Sequence, residues 1–237
     1  MAACRLHCVF FVVNTTVFFA SSESRVLNRR QWGHWAVALA VALGATTGLS
    51  AHAADEAPDR LIQRLSDESL QALRNDKAVQ AGDVVQIGVL VDKLVMPHVN
   101  FRRMTASAVG PGWRKATPEQ QQRLQQEFKT LLVRTYAGAL AQVKNETISV
   151  KPLRAQPTDT DVLVRTEVRG RAEPVQLDYR LEKTPGEGAG WKIYNLNVMG
   201  VWLVETYRNQ FTQEINTRGV DGLLASLAER NAAGTTK

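Results

Sequence analysis

The amino-acid sequence predicts an α+β fold, with helices packed on a curved antiparallel sheet of about four strands, an arrangement that can enclose an apolar pocket. Three observations predict it. Apolar residues recur at helical spacing from Asp59 to Val143. The period then drops to two between Glu146 and Val198, and returns to helical spacing from Trp202 to Arg230. Helices, then strands, then helices that fold back is the order of an α+β domain.

The elements follow in chain order. Residues 1–28 read as an upstream extension of the kind left by a start codon set too early. Residues 29–53 have the layout of a cleavable secretory signal: Arg29-Arg30, the apolar run Trp35–Ala45, and Ala51-His52-Ala53 as a small-x-small cleavage site. The run is shorter than the roughly 20 residues that span a bilayer. Gln31-Trp32 is a poor continuation for a twin-arginine signal, which favours the general secretory route. Residues 54–230 are expected to form one domain and 231–237 a polar tail.

Within the domain, Leu61, Ile62, Leu65 and Leu73 share a helical face over Asp59–Asn75. Asp83 is placed to cap a second helix reaching Val95, which Pro97 interrupts. A short third helix over Val99–Val109 carries Phe101 and Met104. Thr117-Pro118-Glu119-Gln120 is a capping box with proline in the first turn. It opens a long helix to about Val143, with Leu124, Phe128, Leu132 and Tyr136 on its apolar stripe and glutamines on the other face. Glu146–Leu153, Asp161–Gly170, Pro174–Glu182 and Trp191–Val198 read as strands. In the middle two, valine, leucine and tyrosine alternate with charged residues, so one face is buried and one wet. Thr184–Gly190 is a hairpin loop whose glycines lack phosphate-loop spacing. After Gly200 a helix runs from Trp202 to Thr217; Gly219 ends it and Val220–Arg230 closes the domain.

Composition narrows the chemistry. The formal charge of the chain is +6, but four of its 29 Lys/Arg and one of its 23 Asp/Glu precede Ala54, leaving a net of three positive charges on the domain. That balance supports no nucleic-acid argument. Both cysteines and three of the four histidines also precede Ala54. No disulfide, thiolate or zinc chemistry is therefore expected of the domain, nor a metal or cofactor. His98 is the remaining candidate for a general base. No G-x-S-x-G elbow or other nucleophile signature accompanies it, and a half-packed histidine at a helix end is the favoured reading. No catalytic residue is assigned. Periodicity alone does not separate a filled core from a pocket that a ligand fills.

The ordered pieces Val95-Met96-Pro97-His98-Val99-Asn100-Phe101, Gly110-x-x-Trp113-Arg114-Lys115-Ala116-Thr117-Pro118-Glu119-Gln120, Phe128 with Leu131-Leu132, Tyr136, Trp191-Lys192-Ile193-Tyr194, Gly200-Val201, Tyr207-Arg208-x-Gln210-Phe211 and Gly219-Val220-Asp221-Gly222-Leu223 cover most of the domain. In this order, behind a signal peptide, they resemble the periplasmic phospholipid-binding proteins of the Mla (maintenance of lipid asymmetry) system, also called the toluene-tolerance family. The resemblance implies an arrangement of NTF2-like or cystatin-like appearance. It also implies a non-enzymatic, monomeric carrier in the periplasm. Such a carrier shuttles phospholipid between an outer-membrane lipoprotein–porin complex and the lipid-binding subunit of an inner-membrane ABC transporter, and so maintains outer-membrane lipid asymmetry. Two positions depart from the family pattern: Asn195 stands where an acidic residue is usual, and Trp202 where a small serine is usual. A Trp202 near the pocket would reshape it. A periplasmic hydrolase using His98, or an adaptor whose apolar residues simply fill a core, are the alternative readings.

Strand parity and helix stripe give the expected lipid-binding set. Val164, Val168, Leu177 and Tyr179 lie on the sheet, and Phe101, Met104, Phe128, Val198, Val201, Trp202, Leu203 and Tyr207 close the pocket. The family motif itself covers only Phe101, Phe128, Val201 and Tyr207. Arg114 and Arg208 are candidates for a headgroup or an acidic partner surface, with a solvated or structural arginine as the other reading.

Overall fold

Pro58, with its fixed φ and no N–H to leave unpaired, opens the first helix, α1 (Pro58–Asn75). The computed structural model describes residues 56–156, 158–171 and 173–233; the expected signal segment and the extension before it lie outside them. Leu61, Ile62, Leu65, Leu70 and Leu73 form the buried stripe of α1. Asp76 then caps a short helix, α2 (Lys77–Gln80), that the sequence reading had not separated, and Asp83 caps α3 (Val84–Leu90) as expected.

The second expected helix does not run straight to Val95. After Leu90 it widens into a π-helical turn, Val91–Val95, and then tightens into a 3₁₀ turn, Met96–His98, at Pro97. Such widened turns recur at functional sites. The fourth helix, α4 (Phe101–Val109), is capped by the Asn100 side chain, which accepts from Arg103 N at 2.9 Å. A 3₁₀ turn, Gly110–Arg114, leads to α5 (Pro118–Ala141). Its capping box is complete: Thr117 Oγ1 accepts from Gln120 N at 3.2 Å, and Gln120 Oε1 accepts from Thr117 N at 2.9 Å. Gln120 Nε2 also donates to Asp221 at 2.7 Å, tying the start of α5 to the last helix. Thr117→Ala is expected to lower the unfolding free energy by about 1 kcal/mol, the usual worth of such a cap, read as an earlier midpoint in urea with an unchanged slope.

Five antiparallel strands follow in simple sequential order: β1 (Thr147–Val150), β2 (Asp161–Arg169), β3 (Val175–Lys183), β4 (Trp191–Val198) and β5 (Val201–Trp202). The fifth is the strand not foreseen. It is a two-residue hairpin partner of β4, made by Met199 at φ 53° and Gly200 at φ 87°, so the last helix, α6, starts at Leu203. The sheet carries one β-bulge. Arg180 pairs with Asn195 but Leu181 with Ile193, leaving Tyr194 as the extra residue. Val99 forms a bridge with Ile193, whose carbonyl accepts from Asn100 N at 2.8 Å, so the loop before α4 is fastened to the sheet beside the bulge.

Helix α6 (Leu203–Ala233) is kinked at Gly219, whose φ of 71° is the left-handed conformation expected of a helix stop. It continues three residues beyond Arg230, into what had been assigned to the polar tail. Asn231 there is buried and donates to the backbone carbonyl and carboxylate of Glu127 at 3.0 and 2.7 Å.

The buried side chains form three clusters. One joins α4, α5 and α6 around Phe128, whose ring centroid lies 5.7 Å from Phe101, 4.9 Å from Tyr207 and 5.3 Å from Phe211. The second packs α1 on Val162, Val164, Leu181, Trp191 and Ile193 of the sheet. The third joins the ends of α1 and α5 to α2 and α3.

Candidate functional site

Between these clusters the inner face of the sheet is not filled. A cavity of about 440 Å³ lies over β2–β4, walled by α1, α3 with its π turn, α4 and α5. It falls within the roughly 300–1,000 Å³ range of small-molecule sites. Burial along β4 shows how it arises. Trp191 is packed with α1 residues and lies outside the cavity wall, Ile193 is buried at its edge, and Leu196 and Val198, on the same inner face beyond the bulge, are only half-buried where they line the cavity. The same holds on β3, where Leu181 is fully buried and Leu177 and Tyr179 are not.

The wall is almost wholly apolar. Leu70, Leu90, Leu94, Met96, Leu132 and Leu140 face the sheet residues across the space. Burial pushes the Tyr179 phenol up to about 12, so it stays neutral. Lys129, Glu146 and Arg171 are the charged residues that line the cavity. Lys129 Nζ is held by both carboxylate oxygens of Asp92, at 2.7 and 2.9 Å, which pins the π turn to α5. Glu146 accepts from Lys144 N at 2.6 Å and from Arg171 Nε at 3.0 Å; the backbone donor first, then the guanidinium, hold its carboxyl below the usual range against the opposing effect of burial.

Of the residues expected from sequence, Phe101, Met104, Val168, Leu177, Tyr179, Val198 and Leu203 stand in the cavity wall. The other five stand elsewhere, for distinct reasons. Phe128 and Tyr207 are on the intended helix faces but meet each other and Phe211 in the α4–α5–α6 cluster, one layer behind the wall. Val164 has the parity of Val168 but lies under α1, where the space is packed. Val201 sits on the two-residue edge strand and is 52 % exposed. Trp202 pairs with Asn197 and so projects to the opposite face of the sheet, where the Arg180 guanidinium stacks on its ring at 4.3 Å. Trp202 therefore does not reshape the cavity.

The other departure has a structural role. Asn195 is buried on the outer face; its Oδ1 accepts from Val204 N at 3.2 Å, capping α6 from a neighbouring strand, and its Nδ2 donates to Glu205 at 2.8 Å. A carboxylate at 195 could not donate to Glu205. Of the two arginine candidates, Arg208 Nε donates to Ser107 O at 2.8 Å and ties α6 to α4, while Arg114 is exposed at the end of the 3₁₀ turn; neither lines the cavity. His98 is half-buried in its turn and also outside the wall. Burial first, and the charge of Arg64 next, hold its imidazole below the ordinary value.

Sequence reasoning left out of the expected set the wall residues from the α3 segment and α5: Leu90, Leu94, Met96, Leu132 and Leu140. The wide apolar surface of the α3 segment, too broad for a short helix packed on one side, was the available signal.

Comparison with known proteins agrees with this architecture. The family model described as MlaC protein matches residues 63–229. The chain is 30 % identical over 172 residues to the toluene tolerance protein ttg2D of Pseudomonas putida, covering 71 % of this chain and 77 % of that protein. It is 20 % identical over 205 residues to the intermembrane phospholipid transport system binding protein MlaC of Haemophilus influenzae, covering 86 % of this chain and 95 % of that one. Among solved structures, the phospholipid-binding protein from Ralstonia solanacearum in complex with a phospholipid superposes with a TM-score of 0.72 at 46 % identity, over 75 % of this chain and 98 % of that chain. With the helices, the antiparallel sheet and the ordered motifs in place, the match over residues 63–229 leaves one assignment: the chain belongs to the MlaC family.

Proposed function

We propose that this protein is a periplasmic phospholipid carrier that holds acyl chains in the cavity over β2–β4 and carries them between the outer-membrane lipoprotein–porin complex and the lipid-binding subunit of the inner-membrane ABC transporter. The observation that carries the reading is the 440 Å³ cavity itself, an apolar space left open by a sheet whose other end is fully packed. A filled core would have buried Leu177, Leu196 and Val198 as completely as Leu181 and Trp191.

The energetics require such a space. Each methylene moved out of water is worth about 0.8 kcal/mol, and two acyl chains carry about thirty, so the gross term is on the order of 20 kcal/mol. A carrier must offer a comparable apolar surface without covalent attachment, so that the lipid can pass to a partner. The likeness to the Ralstonia solanacearum protein, solved with a phospholipid, supports the ligand class. His98, outside the cavity wall, does not favour a hydrolase.

The test is to express the full-length sequence in bacteria, purify the protein from the periplasmic fraction without detergent, and weigh it by native mass spectrometry before and after lipid extraction. One phospholipid per protein, on a chain beginning at Ala54, is expected. A ligand-free mass with no uptake from phospholipid vesicles would turn the reading to an adaptor.

A further inference from the structure

The polar groups of the cavity are not evenly placed. Lys129 and Ala139 both line it on α5, ten residues apart, which is about 15 Å along the helix. At the Lys129 end the charge is cancelled by Asp92 through two contacts. At the Ala139 end the Glu146 carboxylate is met by one guanidinium, that of Arg171, while Arg74 meets only the Glu146 backbone. Arg171 Nε donates to Glu146, and its Nη2 donates to Ala139 O at 3.3 Å. Arg74 Nη2 donates to the Glu146 backbone carbonyl, while Arg74 Nε is buried with no partner among the described residues. The cluster is held in place by a close approach of backbones. Gly170 has a φ of 98°, and a Cβ there would stand 3.0 Å from both Asn145 O and Glu146 Cα, so this turn presses Arg171 onto Glu146. The Arg74 guanidinium forms no ion pair with a carboxylate among the described residues and stands against the backbone of Glu146, which lines the cavity with Arg171.

Resting on the carrier reading above, we infer that the Arg74–Glu146–Arg171 end of the cavity receives the phosphate of the lipid headgroup, with Arg171 as the contacting residue. A phosphate diester is an anion whose oxygens accept from guanidinium N–H groups. Arg171 lines the cavity with its side chain partly exposed, and it has Nη1 free of the two contacts above. Placing the headgroup there directs the acyl chains along α5 toward Leu132 and Leu90, over the inner face of β3 and β4.

The experiment compares two lipids with the same tails, phosphatidylglycerol and diacylglycerol, loaded from vesicles onto the full-length protein after secretion, and follows their transfer to acceptor vesicles. Arg171→Gln is expected to release phosphatidylglycerol about tenfold faster, the scale of one charge-assisted contact, with diacylglycerol release unchanged. Arg171→Lys should recover most of the retention. Arg169→Gln, two residues away and paired with Glu167 outside the cavity, should match the wild type. Thermal melts of all three variants check that the fold is kept. Equal acceleration of both lipids would make Arg171 a structural residue and overturn the headgroup assignment while leaving the carrier reading intact. A larger phosphate-specific effect from Lys129→Gln would place the headgroup at the other end and overturn it too. Inorganic phosphate is titrated separately by phosphorus NMR on lipid-free protein; a saturable site lost in Arg171→Gln that does not compete with phosphatidylglycerol would reassign the cluster to free phosphate. Failure of the wild type to load either lipid would remove the carrier reading, and the headgroup assignment with it.

Discussion

Leu177→Arg is expected to empty the cavity. Leu177 lies mid-strand on β3, paired with Thr166 on one side and Val198 on the other, and its side chain enters the apolar space. An arginine there places a cation among leucines and valines. The anion of the wall, Glu146, is already engaged by Lys144 N and Arg171. The guanidinium must either stay buried without a partner, which is strongly unfavourable, or stretch its stem along the cavity to reach water. In both cases it occupies space and introduces charge where acyl chains would lie. Bound phospholipid per protein, measured by extraction and native mass, should fall at least about tenfold, the change that 1.4 kcal/mol produces. The far-ultraviolet circular dichroism should remain that of an α+β protein, because the Thr166 hydroxyl bond to the Leu177 carbonyl at 2.8 Å involves only backbone at 177. Lipid content equal to that of the wild type would falsify the assignment of this cavity to lipid.

Phe128→Ala should act in the opposite way, on stability and not on ligand. Phe128 is 0 % exposed and its ring meets three other aromatic rings, with Tyr207 and Phe211 presented edge-on at 72° and 78°. Removing it leaves a void at the junction of α4, α5 and α6 that fixed neighbours cannot close, costing about 3–5 kcal/mol. For a domain of this size the melting temperature should drop by roughly 10 °C. The protein that remains folded should still carry lipid, because the wall in front of Phe128 is built by Phe101, Met104 and Leu132. The two variants together separate the packed layer from the cavity layer. A Phe128→Ala protein of wild-type stability that had lost its lipid would reverse the two roles.

That separation was not visible in the chain. Phe128 and Leu132 are four residues apart on one helix stripe, so both read as inward-facing. Phe128 is enclosed by the rings of Phe101, Tyr207 and Phe211, whereas Leu132 packs against the edge of that cluster and lines the cavity. On the sheet, Val164 and Val168 have the same parity. Val164 is buried in the cluster with Leu61, Ile62 and Leu65 of α1, while Val168 lines the cavity, and that depends on where the α1–sheet contacts are made, not on the period of either element.

The sequence by itself determined the order of elements, the caps at Asp83, Thr117 and Gly219, the alternation of β2 and β3, and the family, because each depends on residues within a few positions of one another or on ordered motifs along the chain. The tertiary structure alone decided which end of the inner face stays open, that the Tyr194 bulge keeps Leu196 and Val198 on that face, and that Trp202 turns outward through its pairing with Asn197. It also brought Arg74, Glu146 and Arg171 together from three separate segments. The physical reason is the same in each case. Local periodicity fixes which side of an element is apolar, but a cavity is a shortage of neighbours, and neighbours come from elsewhere in the chain.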